Sequence, residues 1–385
     1  MARHGARPSP AYQACQRDVA ALSPYYTARV NPPVDKTRGA VSRPAGRFAQ
    51  TTREALDDGW PQDDDAPAPL ATQLFVDHAR SIISSNASPD VPFSRSINPI
   101  QGCEHGCVYC YARPDHAYRD LSPGLDFETQ LFHKPEAAAL LRAAFDKPGY
   151  QPQTIVIGGS TDAYQPVERQ LGLTRQLLQV FLDYRHPVGL ITKGGGVLRD
   201  LDLLTQLAQL DLVKVMVSVT TLDNTLKRRM EPRTASPSMR LRMIRELSAA
   251  GVPTGVLMAP IIPFINDAEI EAVVAAVADA GACEVGYVML RLPYELHPMF
   301  EDWLATHYPA RHERVMNRIR DMRGGKAYDS DFAQRMSGGG PYAELIRQRF
   351  DLARRRAGLS ARQNAARRTD LFRVPGRPHQ QGFDF

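Results

Sequence analysis

An open, partial (β/α)6 barrel is the fold class this sequence predicts, an α/β architecture with an N-terminal extension and a helical C-terminal segment. Three observations predict it. From about residue 94, short β-branched apolar runs alternate with amphipathic stretches; there are six such units; and glycines follow several of the amphipathic stretches. Alternation of this kind implies parallel strands joined by crossover helices. Six units are too many for a small sandwich and too few for a closed eight-unit barrel, whose chemistry would gather at the C-terminal ends of the strands.

The elements follow in order. Residues 1–92 read as the extension, partly irregular, with Pro32-Pro33, Pro67, Pro69 and the acidic run Asp63-Asp64-Asp65. Trp60 and Phe48 argue that some of it packs, and Leu74–Ile83 forms a short strand or helix. The core spans residues 93–295. Its expected strands are Ser96–Ile100, Thr154–Ile157, Val188–Thr192, Val213–Val219, Val252–Met258 and Glu284–Leu290. The helices between them are Lys134–Phe145, Leu173–Tyr184, Leu201–Gln209, Pro237–Ala250 and Asp267–Ala280. The helical period is clearest in Met239, Met243, Ile244 and Leu247, and Ser236 precedes a first-turn proline as an expected N-cap. Residues 296–385 form a helical, charged region with a basic tail. Its expected helices are Arg311–Arg323 and Tyr342–Arg356, with Gly338-Gly339-Gly340 as a flexible link.

The bulk numbers exclude little more. The chain has 385 residues, 43% of them hydrophobic, and no apolar run near the roughly 20 residues of a membrane span. No secretory signal is visible, so the expected location is cytoplasmic, with no membrane partner. A net charge of +5 permits an anionic partner without requiring one. Of the five cysteines, three fall within eight positions. In a chain of this size without an export signal, that clustering reads as metal ligation rather than as a disulfide framework.

The cluster is Gly102-Cys103-Glu-His-Gly106-Cys107-Val-Tyr109-Cys110, placed after the first barrel strand and so at the expected mouth. The Cys-x3-Cys-x2-Cys spacing lets one loop present three thiolates to one face of a cubane cluster and leaves one iron open. Gly102 and Gly106 let the backbone approach the sulfides without a Cβ. The competing reading is a structural site, with His105 or His116 completing a zinc set, in a non-catalytic interaction protein that binds zinc or an iron–sulfur cluster. Cys15 and Cys283 are taken as incidental, Cys283 as a small buried residue.

Cys-x3-Cys-x-aromatic-Cys, with Tyr109 as the aromatic, resembles the radical SAM superfamily. Phe93 to Leu292 resembles its spore photoproduct lyase-like (DNA repair photolyase-like) branch. That resemblance implies the radical SAM type of barrel, an enzyme, and two cofactors. These are a [4Fe–4S] cluster on Cys103, Cys107 and Cys110, and S-adenosylmethionine (SAM) on the fourth iron. Reductive cleavage of SAM would give a 5′-deoxyadenosyl radical that takes hydrogen from a substrate not specified by the sequence. A reducing electron donor such as flavodoxin or ferredoxin is implied as a partner.

The same resemblance assigns further cofactor contacts. Gly158, Gly159, Ser160, Thr161 and Asp162 would hold the SAM amino group; a turn capped by Asp162 is the alternative. Lys193 would meet the carboxylate, and Ser218 the ribose. Ala259–Asp267 would lie against adenine, with Phe264 where many relatives have glycine; a cap on the following helix is the alternative role of Asn266 or Asp267. Glu231 and Arg233 face the same mouth and are expected to pair with each other or to bind substrate. In spore photoproduct lyase a cysteine returns hydrogen to the product radical; Gly159 aligns there, so that thiol is not carried over. Lys36–Ser42 and Asp57–Trp60 resemble an N-terminal extension of an uncharacterised bacterial subgroup. Nucleic acid is one substrate class under consideration, on the branch resemblance and on Arg354–Arg356 and Arg367-Arg368.

Overall fold

A computed structural model describes residues 37–49, 70–361 and 367–376. Cys15, Trp60, the Pro32-Pro33 pair, Pro67, Pro69 and the Asp63–Asp65 run lie outside the described residues.

The strands are, in order, β1 (Gln73–Val76), β2 (Ile83–Ser85), β3 (Arg95–Ile97), β4 (Ile100–Gln101), β5 (Gln130–His133), β6 (Ile155–Ile157), β7 (Val188–Thr192), β8 (Val213–Ser218), β9 (Thr254–Ile261), β10 (Glu284–Met289) and β11 (Ser360–Ala361). Strands β3, β6, β7, β8, β9 and β10 lie side by side in that order and all run parallel. These are the six strands of the expected barrel. β2 pairs antiparallel with the outer edge of β3, and β11 pairs parallel with β10. The described strand order therefore runs from β11 to β2 without closing on itself.

Helices return the chain between strands: α1 (Ala137–Phe145), α2 (Leu173–Asp183), α3 (Leu201–Gln209), α4 (Pro237–Ala249) and α5 (Ile270–Asp279). Each buries an apolar stripe. Met243, Ile244 and Leu247 of α4 are fully buried, as are Leu177 and Phe181 of α2, against Val215 and Val256 of the sheet. Burial of a side chain this size stabilises by about 1.5–3 kcal/mol. Ser236 caps α4 by accepting the Met239 N–H at 3.2 Å.

The structure departs from expectation in five places. The Leu74–Ile83 stretch gives two strands, β1 and β2, rather than one element. A second sheet, ordered β1-β5-β4, was not anticipated; β5 follows a one-turn helix, Leu125–Thr129, too short to show a period. The C-terminal region holds three helices, α6 (Leu296–His307), α7 (His312–Asp321) and α8 (Gly340–Arg356). The triple glycine is not a free link, because the Gly339 N–H donates to the Met322 carbonyl at 2.9 Å and Gly340 opens α8. Finally, Cys283 is exposed, since it stands ahead of β10 at the N-terminal end of the sheet, outside the core.

A second apolar cluster forms at the C-terminal ends of the strands. Val108 and Tyr109 pack there with Met230, Ile262, Leu290, Phe300, Trp303 and Ile319. The helical C-terminal region thereby buttresses the loop that carries the cysteines.

Candidate active site

Strand β4 leads into Gly102 (φ 80°), and the next residue, Cys103, donates its N–H to the Phe127 carbonyl at 2.9 Å. The loop is anchored at nearly every residue. The Glu104 N–H donates to Gln165 Oε1 at 2.9 Å, the Val108 N–H to the Met230 carbonyl at 3.0 Å, and the Cys107 carbonyl accepts from Arg113 Nε at 2.8 Å. Arg113 is fully buried and pairs with Glu128, also fully buried. Glu128 accepts in addition the N–H groups of Gly39 and Ala40, at 3.0 and 2.9 Å. A Cβ on Gly39 would fall 1.6 Å from the Gly106 carbonyl oxygen, so the segment around Arg38–Val41 lies directly on the cysteine loop.

Cys103 and Cys107 are buried and Cys110 is half-buried, all three as free thiols. Burial pushes the Cys103 thiol well up, and Asp162, Cys107 and Cys110 add to the effect. Burial likewise pushes the Cys107 thiol up to about 12, against the pull of Lys193. A cationic metal centre would favour the thiolate forms that burial here disfavours. Among the described residues, no group of three or more His, Cys, Asp or Glu side chains is arranged to hold a single ion. By its chemistry, a loop carrying three thiolates suits a cubane that takes one sulfur on each of three irons. The donor set fits a cluster.

The two histidines of the zinc reading are engaged elsewhere. His105 Nδ1 lies 3.3 Å from Asp162 Oδ2, and His116 Nε2 lies 3.0 Å from the Gln130 carbonyl.

Facing the loop are the ends of β6, β7 and β8. A Cβ on Gly158 (φ 93°) would sit 2.3 Å from the Ile191 carbonyl, which fixes glycine there. The Gly159 carbonyl accepts from the Tyr111 hydroxyl, and the Ser160 N–H donates to Asn98 Oδ1 at 3.0 Å. Thr161 is buried. Asp162 accepts from the Thr192 hydroxyl (2.6 Å), the Lys193 N–H (2.6 Å) and the Tyr164 N–H (2.8 Å), and so ties β6 to β7. Burial opposes its ionisation, but His105 and these donors hold its carboxyl below the usual carboxylate range. With His105 also upon it, its oxygens are occupied by protein donors. The Ser218 carbonyl accepts from Arg240 Nη1 at 3.0 Å.

Lys193 stands apart from these ties. Its Nζ lies 5.9 Å from the centre of the Tyr109 ring, and it forms no ion pair among the described residues. Burial works against its charge, but Cys107, Glu231 and Asp162 together raise its pKa. A half-buried ammonium is therefore aimed at the cysteine loop with no carboxylate upon it.

Glu231 does not pair with Arg233. It accepts from Arg240, from the Tyr109 hydroxyl and from the Thr220 hydroxyl at 2.9 Å, while Arg233 pairs with Glu104 at 3.1 Å. The cause is placement: Arg240 stands on the buried stripe of α4, one turn ahead of Met243 and Ile244, and points into the mouth. A charged residue on an apolar stripe is the signal that would have identified it. Asn266 is a tie rather than a cap, accepting the Ile262 N–H at 2.7 Å and donating to the Thr220 and Pro260 carbonyls at 2.8 and 2.9 Å. Phe264 has φ 61°, in the left-handed region.

Residues 97–277 match the family model described as the Radical SAM superfamily. An uncharacterized protein of Mycobacterium tuberculosis is 34% identical over 234 residues, 60% of this chain and 68% of that one. An uncharacterized protein of Methanocaldococcus jannaschii is 25% identical over 222 residues, 58% of this chain and 79% of the other. Among solved structures, spore photoproduct lyase complexed with dinucleoside spore photoproduct superposes with a TM-score of 0.51 at 15% identity, over 75% of this chain and 80% of that one. A variant of that enzyme with bound AdoMet and dinucleoside spore photoproduct gives 0.50 at 15% identity, with the same coverage. At such identities the likeness is one of fold.

Proposed function

The chain belongs to the radical SAM superfamily, and on that premise we propose that Cys103, Cys107 and Cys110 hold its [4Fe–4S] cluster at the barrel mouth, facing a SAM site formed by the ends of β6, β7 and β8. When bound, the cluster and SAM would supply a one-electron reductive cleavage of SAM to methionine and a 5′-deoxyadenosyl radical able to take hydrogen from a substrate.

The observation that carries this reading is the opposition of Lys193 to the cysteine loop. An ammonium with no ion pair among the described residues, beside three thiols on one anchored loop, suits a ligand bearing a carboxylate. Gly158 and Gly159 offer backbone at close range to the amino group, with Ser160, Thr161 and Asp162 around it and Ser218 near the ribose. Because Asp162 is already tied to His105, Thr192 and Lys193, its part is to position the β6 and β7 ends. Tyr109 packs beside the site and spends its hydroxyl on Glu231. Phe93 to Leu290 carry all of these groups, and residues 93–295 are the proposed catalytic unit, flanked by the extension and the helical C-terminal region.

An external one-electron donor of the flavodoxin or ferredoxin kind is the implied partner. No helix among the described residues is long and apolar enough to cross a membrane. Free thiols and a cluster call for a reducing compartment, and the cytoplasm is the proposed location.

Nucleic acid is one substrate class under this proposal, but the basic tail does not support it. Arg354 pairs with Asp351, Arg367 with Asp211 and Arg368 with Asp370. The feature that favours nucleic acid lies elsewhere: Phe48, Tyr118 and Tyr294 are exposed and surround the Arg47 guanidinium at 4.7, 5.0 and 4.4 Å, an aromatic surface suited to stacking, although Arg47 is itself paired with Glu295 at 3.1 Å.

Anaerobic reconstitution tests the proposal. The wild-type chain is expected to take up a four-iron cluster and, under a strong reductant, release 5′-deoxyadenosine from SAM; Cys107→Ala abolishes the release. Continued SAM cleavage by the triple Cys103→Ala, Cys107→Ala, Cys110→Ala variant overturns it.

A further inference from the structure

We propose that Arg291 and Arg323 form a binding site for an oxyanion of the substrate, a phosphate or a carboxylate, at the C-terminal end of β10. The inference rests on the reading of the barrel mouth as the active site and adds a substrate chemistry to it.

Arg323 is fully buried. Its Nη2 donates to the Leu290 carbonyl at 2.7 Å and to the Arg335 carbonyl at 3.2 Å, but its Nε and Nη1 have no partner. No carboxylate pairs with it among the described residues, and burial together with Arg291 lowers its pKa. Arg291 repeats the pattern. Among the described residues its Nη1 reaches only the Met336 sulfur, at 3.3 Å, and its buried Nε has no partner. The neighbouring Asp90 is already taken by Arg335 through both carboxylate oxygens.

Two adjoining guanidinium groups with orphaned N–H donors are a costly arrangement, since a buried charge without a counter-charge destabilises by several kcal/mol. An arriving oxyanion supplies both the counter-charge and the acceptors, and guanidinium forks match its geometry.

The location is what makes this a substrate site. Arg291 is half-buried and stacks over the Tyr111 ring at 5.1 Å. Tyr111 follows Cys110 directly, and its hydroxyl reaches the Gly159 carbonyl at the end of β6. An anion at Arg291 is thus held one aromatic ring from the cysteine loop, on the side where the strands end.

The test is calorimetric titration of the anaerobically reconstituted full chain with inorganic phosphate and, separately, with acetate, at constant ionic strength. Saturable binding of at least one anion is expected, weakened about tenfold or more by Arg291→Gln. Arg291→Lys, which keeps the charge but loses the fork, is expected to lie between. Stronger binding of phosphate points to a phosphate-bearing substrate, and stronger binding of acetate to a carboxylate. Arg347→Gln, which removes an exposed charge on α8, should change nothing. The inference is overturned if neither anion saturates, if both Arg291 variants bind like wild type, or if Arg347→Gln weakens binding as much. Thermal unfolding of each variant separates lost binding from lost fold. SAM cleavage by the wild-type chain is scored separately, so failure of the cofactor reading and failure of the anion site are distinguishable.

Discussion

His105 and Asp162 meet with Nδ1 and Oδ2 3.3 Å apart and both side chains buried. One residue belongs to the cysteine loop and the other to the end of β6. Because Asp162 also accepts from Thr192 and Lys193, a single carboxylate joins the loop to two barrel strands.

That carboxylate gives the first prediction. The folded pKa of Asp162 is depressed, so its stabilising effect is complete above the ordinary carboxylate value of about 4 and is lost as pH falls through that value toward the folded one. Asp162→Asn is expected to cost about 1–3 kcal/mol at pH 7. The gap between variant and wild type should narrow as the medium is acidified below about pH 4. Urea unfolding across that range measures it, and a gap independent of pH refutes the assignment.

Lys193→Met removes the unpaired ammonium while leaving the three cysteines in place. Iron content and the cluster absorption should persist, while SAM affinity falls about 10- to 100-fold, as expected for one charge-assisted contact. Equilibrium dialysis with labelled SAM reads the outcome; unchanged affinity would remove Lys193 from the site.

Arg240 and Glu231 are both fully buried, and Glu231 also holds the Tyr109 hydroxyl. Arg240→Met would leave an uncompensated carboxylate, at a cost of about 3–5 kcal/mol. Glu231→Gln on the same background should restore part of that loss. Chemical denaturation of the single and double variants provides the measurement, and strict additivity would argue against the pair.

Much of the fold was legible because the signals are local. The run Val188–Thr192 and the helix Leu201–Gln209 are bounded in the structure where the sequence bounds them, since β-branched runs and apolar periods are written in consecutive residues. The cysteine spacing is local in the same way. What escaped were contacts between distant segments: Glu128 with Gly39 and Ala40, His105 with Asp162, Arg240 with Glu231. A glutamate in a one-turn helix carries no mark of the two N–H groups it will accept from nearly ninety positions earlier. Arg233 lies two residues from Glu231 and looked the nearer partner, yet the loop turns it toward Glu104.

His186 supplies a pH effect remote from the mouth. It stacks on Phe145 at 4.3 Å, and burial holds its pKa down to about 3. The unfolded chain binds the proton first, so stability is complete above about pH 6.5 and declines as pH falls from there toward the folded value. His186→Phe should flatten the decline between those limits. Thermal melts at pH 7, 5 and 4 test it, and an unaltered slope would count against the assignment.

The contact between Gly39 and Gly106 bears on how the centre is assembled. The segment that roofs the cysteine loop leaves the ribosome more than sixty residues before the loop itself, yet its anchor, Glu128, emerges later still. The roof therefore cannot seat until the thiols are already in place.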